Sequence, residues 1–282
     1  MTPLFHFAQE GRPAEAAKIH KEMPAGHDGD LQSVRHELLS RSNLAIAASH
    51  AHDVSCGLGR AICREWMQME TDEELRAERA KADALFRQPC TFVKGVVDVA
   101  GLPADTIPEV AFAGRSNVGK SSLLNALLNN KGLARTSNTP GRTRELNYFL
   151  LGDALHIVDM PGYGYARASK SLVHSWNHLI KAYLRGRTQL KRVFLLIDSR
   201  HGVKENDTAT MELMDKSAMS YQLVLTKTDK LKPSEVPGVI EAAAAAAAKH
   251  GAAYPEIVAT SAEKKQGMDE LRQAVARSLG NH

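Results

Sequence analysis

Val110-Ala111-Phe112-Ala113-Gly114-Arg115-Ser116-Asn117-Val118-Gly119-Lys120-Ser121 is the stretch that decides the fold. Val110–Ala113 reads as a short apolar strand, and Ser122–Leu128 opens an apolar helix. Between them, Gly114–Ser121 matches the pattern G-x-x-x-x-G-K-[ST] throughout. The glycines let the backbone turn so that successive amides converge on an anion, and the helix N-terminus adds its positive dipole end. Lys120 is placed to neutralise the β and γ oxygens of a nucleoside triphosphate, and the Ser121 hydroxyl to ligate Mg²⁺.

The chain beyond this loop repeats strand, loop and helix. Leu146–Leu151 and Ala154–Asp159 read as strands joined by a tight Gly152-Asp153 turn, hence as an antiparallel pair. Leu172–Leu184 has the pattern of an amphipathic helix, and Arg192–Asp198 that of a strand covered on both faces. Helices follow at Asp207–Lys216, Val236–Lys249 and Met268–Leu279, with strands at Tyr221–Thr226 and Glu256–Thr260. Such alternation implies a mostly parallel α/β sheet with helices on both faces. Upstream, Thr71-Asp72-Glu73-Glu74 fits a capping box. It would open a helix with Leu75, Ala82, Leu85 and Phe86 on its apolar side, stopped by Pro89.

A phosphate loop does not choose its base. Thr226-Lys227-Thr228-Asp229 sits just after an apolar strand, where strand carboxyl ends line the ligand crevice. The Asp229 carboxylate can accept both donors on guanine's N1 and N2 edge; adenine has no such pair. The Lys227 stem can lie over the ring. Asp159-Met160-Pro161-Gly162 closes another strand: Asp159 can hold Mg²⁺ through water, and the Gly162 amide can contact a γ-phosphate. After the last strand, Thr260-Ser261-Ala262 is positioned to put backbone amides against guanine O6.

With Asn138-Thr139-Pro140-Gly141-Arg142-Thr143 and Asp159-Met160-Pro161-Gly162-Tyr163-Gly164-Tyr165 added to the loop, residues 70–280 resemble the EngB (YihA/YsxC) family of bacterial ribosome-biogenesis GTPases. That resemblance implies a three-layer, Ras-like P-loop GTPase fold whose six-stranded, mostly parallel sheet carries one antiparallel edge strand. It makes Thr143 the switch threonine that ligates Mg²⁺ beside Ser121, within a mobile loop Gly141-Arg142-Thr143-Arg144-Glu145. Lys120, Thr143 and Gly162 are then the groups that act on the γ-phosphate. It further implies GTP and GDP as ligands, a monomer, and a role in large-ribosomal-subunit assembly, cell division and septation. The cytoplasm is the address expected from the sparse cysteines and the lack of a membrane-span run. Asn117 matches the position at which related GTPases help hold a potassium ion.

Tyr163 stands where many GTPases carry the glutamine that orients the attacking water, and its ring cannot do that job. Hydrolysis is therefore expected to be slow without a partner, and a GTP-dependent binding module that scarcely hydrolyses stays open as the alternative. A metabolic phosphoryl-transfer enzyme would need an acceptor domain or lid, for which no extra segment is suited. Lys131, Arg135, Arg142 and Arg144 form one basic cluster, and Lys181, Arg185, Arg187, Lys191 and Arg192 another. They suit an RNA phosphate backbone or a solvated helix end about equally. The resemblance favours ribosomal RNA of a large-subunit precursor.

A net charge of +4 over 282 residues permits nucleic-acid contact without demanding it. Three cysteines form no disulfide framework, and no apolar run reaches a membrane span. The first 66 residues hold six of the twelve histidines and lack sustained periodicity. They are expected to be a poorly ordered extension or a mis-assigned start, ahead of Met67 and Met69, with a leading helix and strand segment over 70–107 and the GTPase domain over 108–282.

Overall fold

The computed structural model describes residues 73, 75–130, 132–133, 145–163 and 179–280. The N-terminal extension, three residues of the capping box, Lys131, Arg135 and Gly141–Arg144 lie outside the described residues, as does the start of the helix expected from Leu172. Ala77–His282 forms one compact unit, and the architecture below is that of this unit.

Seven strands build one sheet in the order β1-β3-β4-β2-β5-β6-β7. They are β1 Cys90–Val96, β2 Glu109–Gly114, β3 Leu146–Leu151, β4 Leu155–Asp159, β5 Leu190–Asp198, β6 Tyr221–Thr226 and β7 Ala253–Ala259. The described helices are α1 (75–86), α2 Lys120–Leu127, α3 (179–186), α4 Glu205–Lys216, α5 Val236–Ala247 and α6 Met268–Ser278. β2 lies at the centre, parallel to β4 on one side and β5 on the other. β6 and β7 continue the parallel order, whereas β3 runs antiparallel to both β4 and β1.

The expected α/β fold is present, with a sheet one strand wider than expected. The antiparallel strand β3 is internal, because β1 pairs along its outer side from Cys90↔Leu151 to Val96↔Leu146. β1 is hard to read because its register slips between Phe92 and Lys94, and Val96 alone of its residues is buried. An edge strand with a bulge and one covered position loses the period-2 signature. The β3–β4 connection takes three residues, 152–154, with Gly152 at φ 54°, where two were expected. β7 begins at Ala253 because Pro255 is tolerated on an edge strand. Leu75, expected on the apolar side of α1, is 54% exposed, whereas Ala82 and Phe86 are buried.

The core lies in two layers, one on each sheet face. β2 feeds both by strict alternation: Val110 and Phe112 join the layer under α1, α2 and α6, and Ala111 and Ala113 the layer under α3, α4 and α5. Small alanines face one side while Phe112 stacks on Phe194 on the other, with ring centroids 5.2 Å apart. Both layers close over the sheet, so every residue of β2 is buried.

At the amino end of β2, Glu109 is fully buried. It accepts hydrogen bonds from Tyr183 Oη at 2.9 Å, Tyr148 Oη at 3.3 Å and Arg187 Nε at 2.7 Å. Burial first, then the Glu109 carboxylate, push both phenols above the ordinary tyrosine range and keep them as donors. Arg187 was expected in a basic cluster; here it neutralises a core carboxylate. Glu109→Ala should destabilise the protein by about 3–5 kcal/mol, because it strands a buried guanidinium. Glu78→Ala, which removes a solvent-exposed partner 3.6 Å from Arg277, should cost under about 1 kcal/mol. Urea midpoints of the two variants test the contrast.

Candidate functional site

The loop after β2 has the shape its glycines require. A Cβ at Gly114 would stand 2.9 Å from Val118 Cγ1 and 3.0 Å from Leu196 Cβ, so nothing larger fits where the strand turns. Asn117 and Gly119 adopt φ values of 65° and 105°. Left-handed residues among right-handed ones turn successive amides inward, which makes an anion-binding concavity. Gly119 starts α2 with no side-chain cap, leaving the first amides of the helix for another acceptor. This concavity at a helix N-terminus fits a polyphosphate.

Lys120 and Asp159 form an ion pair, their side chains only 10% and 7% exposed. The pair joins the loop to the carboxyl end of β4. Ser121 and Asp159 offer hard oxygen donors, a hydroxyl and a carboxylate, the chemistry Mg²⁺ takes alongside phosphate oxygens. Thr143, the other expected ligand, lies outside the described residues, as do Gly141, Arg142 and Arg144. Glu145, the last of that loop, is described and exposed.

Gly162 and Tyr163 continue the β4 side of the loop. Tyr163 N donates to Gly114 O at 3.2 Å, and Ser116 N donates to Tyr163 O at 3.1 Å. Gly162 is packed so closely that a Cβ would stand 3.1 Å from Ser116 N. Met160 and Pro161 before it are buried. The Tyr163 hydroxyl donates to Asp207 Oδ1 at 2.8 Å. Burial, then the Asp207 carboxylate, push this phenol far above its ordinary range, so it is held protonated.

The base-side residues converge on the same loop. Thr226 Oγ1 donates to Val118 O at 2.7 Å. Lys227, at φ 60°, extends its amine to Asn117 O at 2.7 Å and to Asp198 Oδ2 at 2.9 Å. Its Cε lies 3.4 Å from the point a Gly119 Cβ would occupy, so the stem runs across the loop. Against its burial, hydrogen bonds from Arg200 and Lys227 hold the Asp198 carboxyl well below the usual carboxylate range. Sequence reasoning missed Asp198. Its signal is present all the same: like Asp159, it closes an apolar strand at the carboxyl end of the sheet.

Asp229 Oδ1 accepts from Ser261 Oγ at 2.6 Å. Its other oxygen is buried, stands 3.0 Å from Lys230 Nζ as an ion pair and accepts no hydrogen bond. The Ser261 bond, working against burial and helped by Lys230, lowers the carboxyl below its ordinary value and keeps it an acceptor. Thr228 Oγ1 donates to Thr260 O at 3.0 Å, tying the two base-side loops together. The expectation for Thr260-Ser261-Ala262 needs correction. The Thr260 amide donates to Leu225 O and the Ser261 amide to Gln266 O, so a backbone contact to the base falls to Ala262. Ser261 contributes instead through its hydroxyl.

A family model described as "50S ribosome-binding GTPase" matches residues 109–227. A "Probable GTP-binding protein EngB" of Rhizobium etli is 58% identical over 205 residues, spanning 70% of this chain and 94% of that protein. The counterpart from Caulobacter vibrioides is 52% identical over 207 residues, spanning 73% of this chain and 89% of its own. The chain belongs to the EngB family of GTP-binding proteins. A crystal structure of a probable GTP-binding protein EngB shares the fold, with a TM-score of 0.50 at 21% identity over 61% of this chain and 98% of the other. In this EngB family member the assembled loops are thus those of a guanine-nucleotide-binding P-loop GTPase.

Replacing Asp229 by Asn turns one of its two acceptor oxygens into a donor, at the position expected to face the purine N1 and N2 edge. Asp229→Asn should weaken GDP binding about 100-fold, the size of one charge-assisted hydrogen bond. It should gain affinity for xanthosine diphosphate, whose C2 carbonyl accepts the new amide. Titration with fluorescent nucleotides reads both, and unaltered GDP affinity would contradict this assignment.

Proposed function

We propose that this chain is a Mg²⁺-dependent GTPase switch with slow intrinsic turnover, acting in large-ribosomal-subunit assembly and needed for normal division and septation. The observation that carries the switch reading is the Gly162-Tyr163 segment stitched to the phosphate loop by two backbone hydrogen bonds. A γ-phosphate in the loop would meet the Gly162 amide at the point where β4 leaves the sheet, so the segment's position depends on which nucleotide is bound. Lys120 would exchange Asp159 for β and γ oxygens, and the loop amides would hold the bridging phosphates in line. Ser121 and Thr143 would hold Mg²⁺, with Asp159 reaching it through water; the ion supplies neutralisation of phosphate charge.

Slow turnover follows from Tyr163. Its hydroxyl is engaged with Asp207, so neither ring nor hydroxyl is available to orient an attacking water. The same observation favours the second reading, a GTP-dependent binding module with negligible hydrolysis. Asn117 supports potassium as an activating ion by its place in the motif. Its main-chain carbonyl is already bonded to Lys227, which leaves the exposed side chain for that contact.

The family description of ribosome binding supports a partner of ribosomal RNA, contacted without base specificity through phosphates. On this chain Lys181, Arg185 and Lys191 are exposed and free to serve it. Arg192 is half-buried, donating to Gln222 Oε1 at 3.0 Å with its guanidinium 3.9 Å from the Tyr254 ring centroid. Among the described residues no helix is long and apolar enough to cross a membrane. We place its work in the cytoplasm, as a monomer.

Sedimentation with large ribosomal subunits should carry the protein down with a GTP analogue and leave it in the supernatant with GDP. Binding that ignores the nucleotide would undo the switch. Turnover measured alongside, in matched potassium and sodium buffers, should be higher in potassium and rise with subunits. No turnover under any of these conditions would leave the binding module as the better description.

A further inference from the structure

We propose that the Tyr163 hydroxyl and Asp207 form a latch that positions the Gly162 amide for its response to the γ-phosphate, which makes both of them positioning residues. The inference rests on the switch reading above and extends it to α4.

Residue 163 is held from two directions. Its backbone forms one more rung beside the phosphate loop, through Gly114 O and Ser116 N. Its side chain reaches across to the first turn of α4, where the hydroxyl donates to Asp207 Oδ1 at 2.8 Å. Asp207 is 1% exposed, and its second oxygen accepts from Lys204 N at 2.9 Å, closing the start of the helix. One carboxylate therefore does two jobs: it caps α4 and it holds Tyr163. Tyr163 and Val203, just ahead of the helix, pack against the same core layer.

Energetics make this bond a coupling element. A hydrogen bond to a buried carboxylate is among the stronger ones, and breaking it leaves a desolvated charge short of a partner. Gly162 has little room of its own, because it already lies against Ser116. A γ-phosphate that takes the Gly162 amide where the latch holds it keeps the Tyr163–Asp207 bond; without it, Gly162 can move away only by breaking that bond or by carrying the start of α4 along. In both cases the loss of the γ-phosphate reaches α4, an element remote in sequence from the phosphate loop. An ordinary core hydrogen bond would stabilise both nucleotide states alike; a latch weights them differently.

Tyr163→Phe in the full chain removes the hydroxyl and keeps the ring. Affinities for GDP and for a non-hydrolysable GTP analogue should then part. Analogue binding weakens about tenfold, the size of one charge-assisted hydrogen bond, while GDP binding stays within about twofold. Asp207→Asn, which keeps the volume and drops the charge, should shift the ratio in the same direction. The double variant should add little to Tyr163→Phe. An unchanged ratio of the two affinities, in either variant that folds, overturns the latch even if the melting temperature falls. A wild-type chain that failed to bind guanine nucleotides would overturn the underlying reading and the latch together, and it would be seen before any substitution is made.

Discussion

Parallel pairing of β2 with β4 and β5 is the constraint on which the rest of the molecule depends. It sets Phe112 opposite both Asp159 and Phe194, and Gly114 opposite Leu196. Each neighbouring strand therefore ends at the same level as the phosphate loop. β6 extends the level with Asp198↔Thr226, and β7 with Leu225↔Ala259. Parallel strands cannot be joined by short hairpins, so every return passes through a helix on one face or the other. The carboxyl ends are left to loops alone, and those loops carry the chemistry.

Once aligned, the strand ends are locked by polar cross-links. Lys120 meets Asp159, Thr226 meets Val118 O, Lys227 meets both Asn117 O and Asp198, and Asp229 meets Ser261. Most of these groups are buried or nearly so, and a buried polar group without a partner is costly. Each link therefore joins one motif to the next, and the base-side loops are preorganised against the phosphate loop. The opposite end of the sheet is closed by the Glu109 network, which draws on β3 and α3. That network lies at the amino end of β2, away from the phosphate loop at its carboxyl end.

Much of this was legible in the chain itself. The loop motif carries its own context, since an apolar strand before it and an apolar helix after it are what the phosphate cradle needs. β3 and β6 match their expected bounds, Leu146–Leu151 and Tyr221–Thr226, because both are apolar runs buried on at least one face. The edge strands were the least sharply read: β1 was expected only as a strand segment somewhere in 70–107 and left out of the count of six, and β7 was expected to begin at Glu256. β1 has one covered residue and a bulge, and β7 contains Pro255, so neither shows the pattern that burial on a regular face imposes.

The sequence alone therefore determined the phosphate loop, the order of the motifs and the alternation that makes the sheet parallel. These are local properties: glycine's freedom, a helix start, and apolar period. Only the tertiary structure decided the partners of the polar side chains. Asp198 beside Lys227, Ser261 on Asp229 and Asp207 on Tyr163 are separated by 29, 32 and 44 residues. It also decided that Arg187 serves the core rather than the surface. A buried charge takes whichever partner the neighbouring strands and helices bring within reach, and that neighbourhood exists only after the sheet has formed. The phosphate loop could be read before folding; what it is tied to could not.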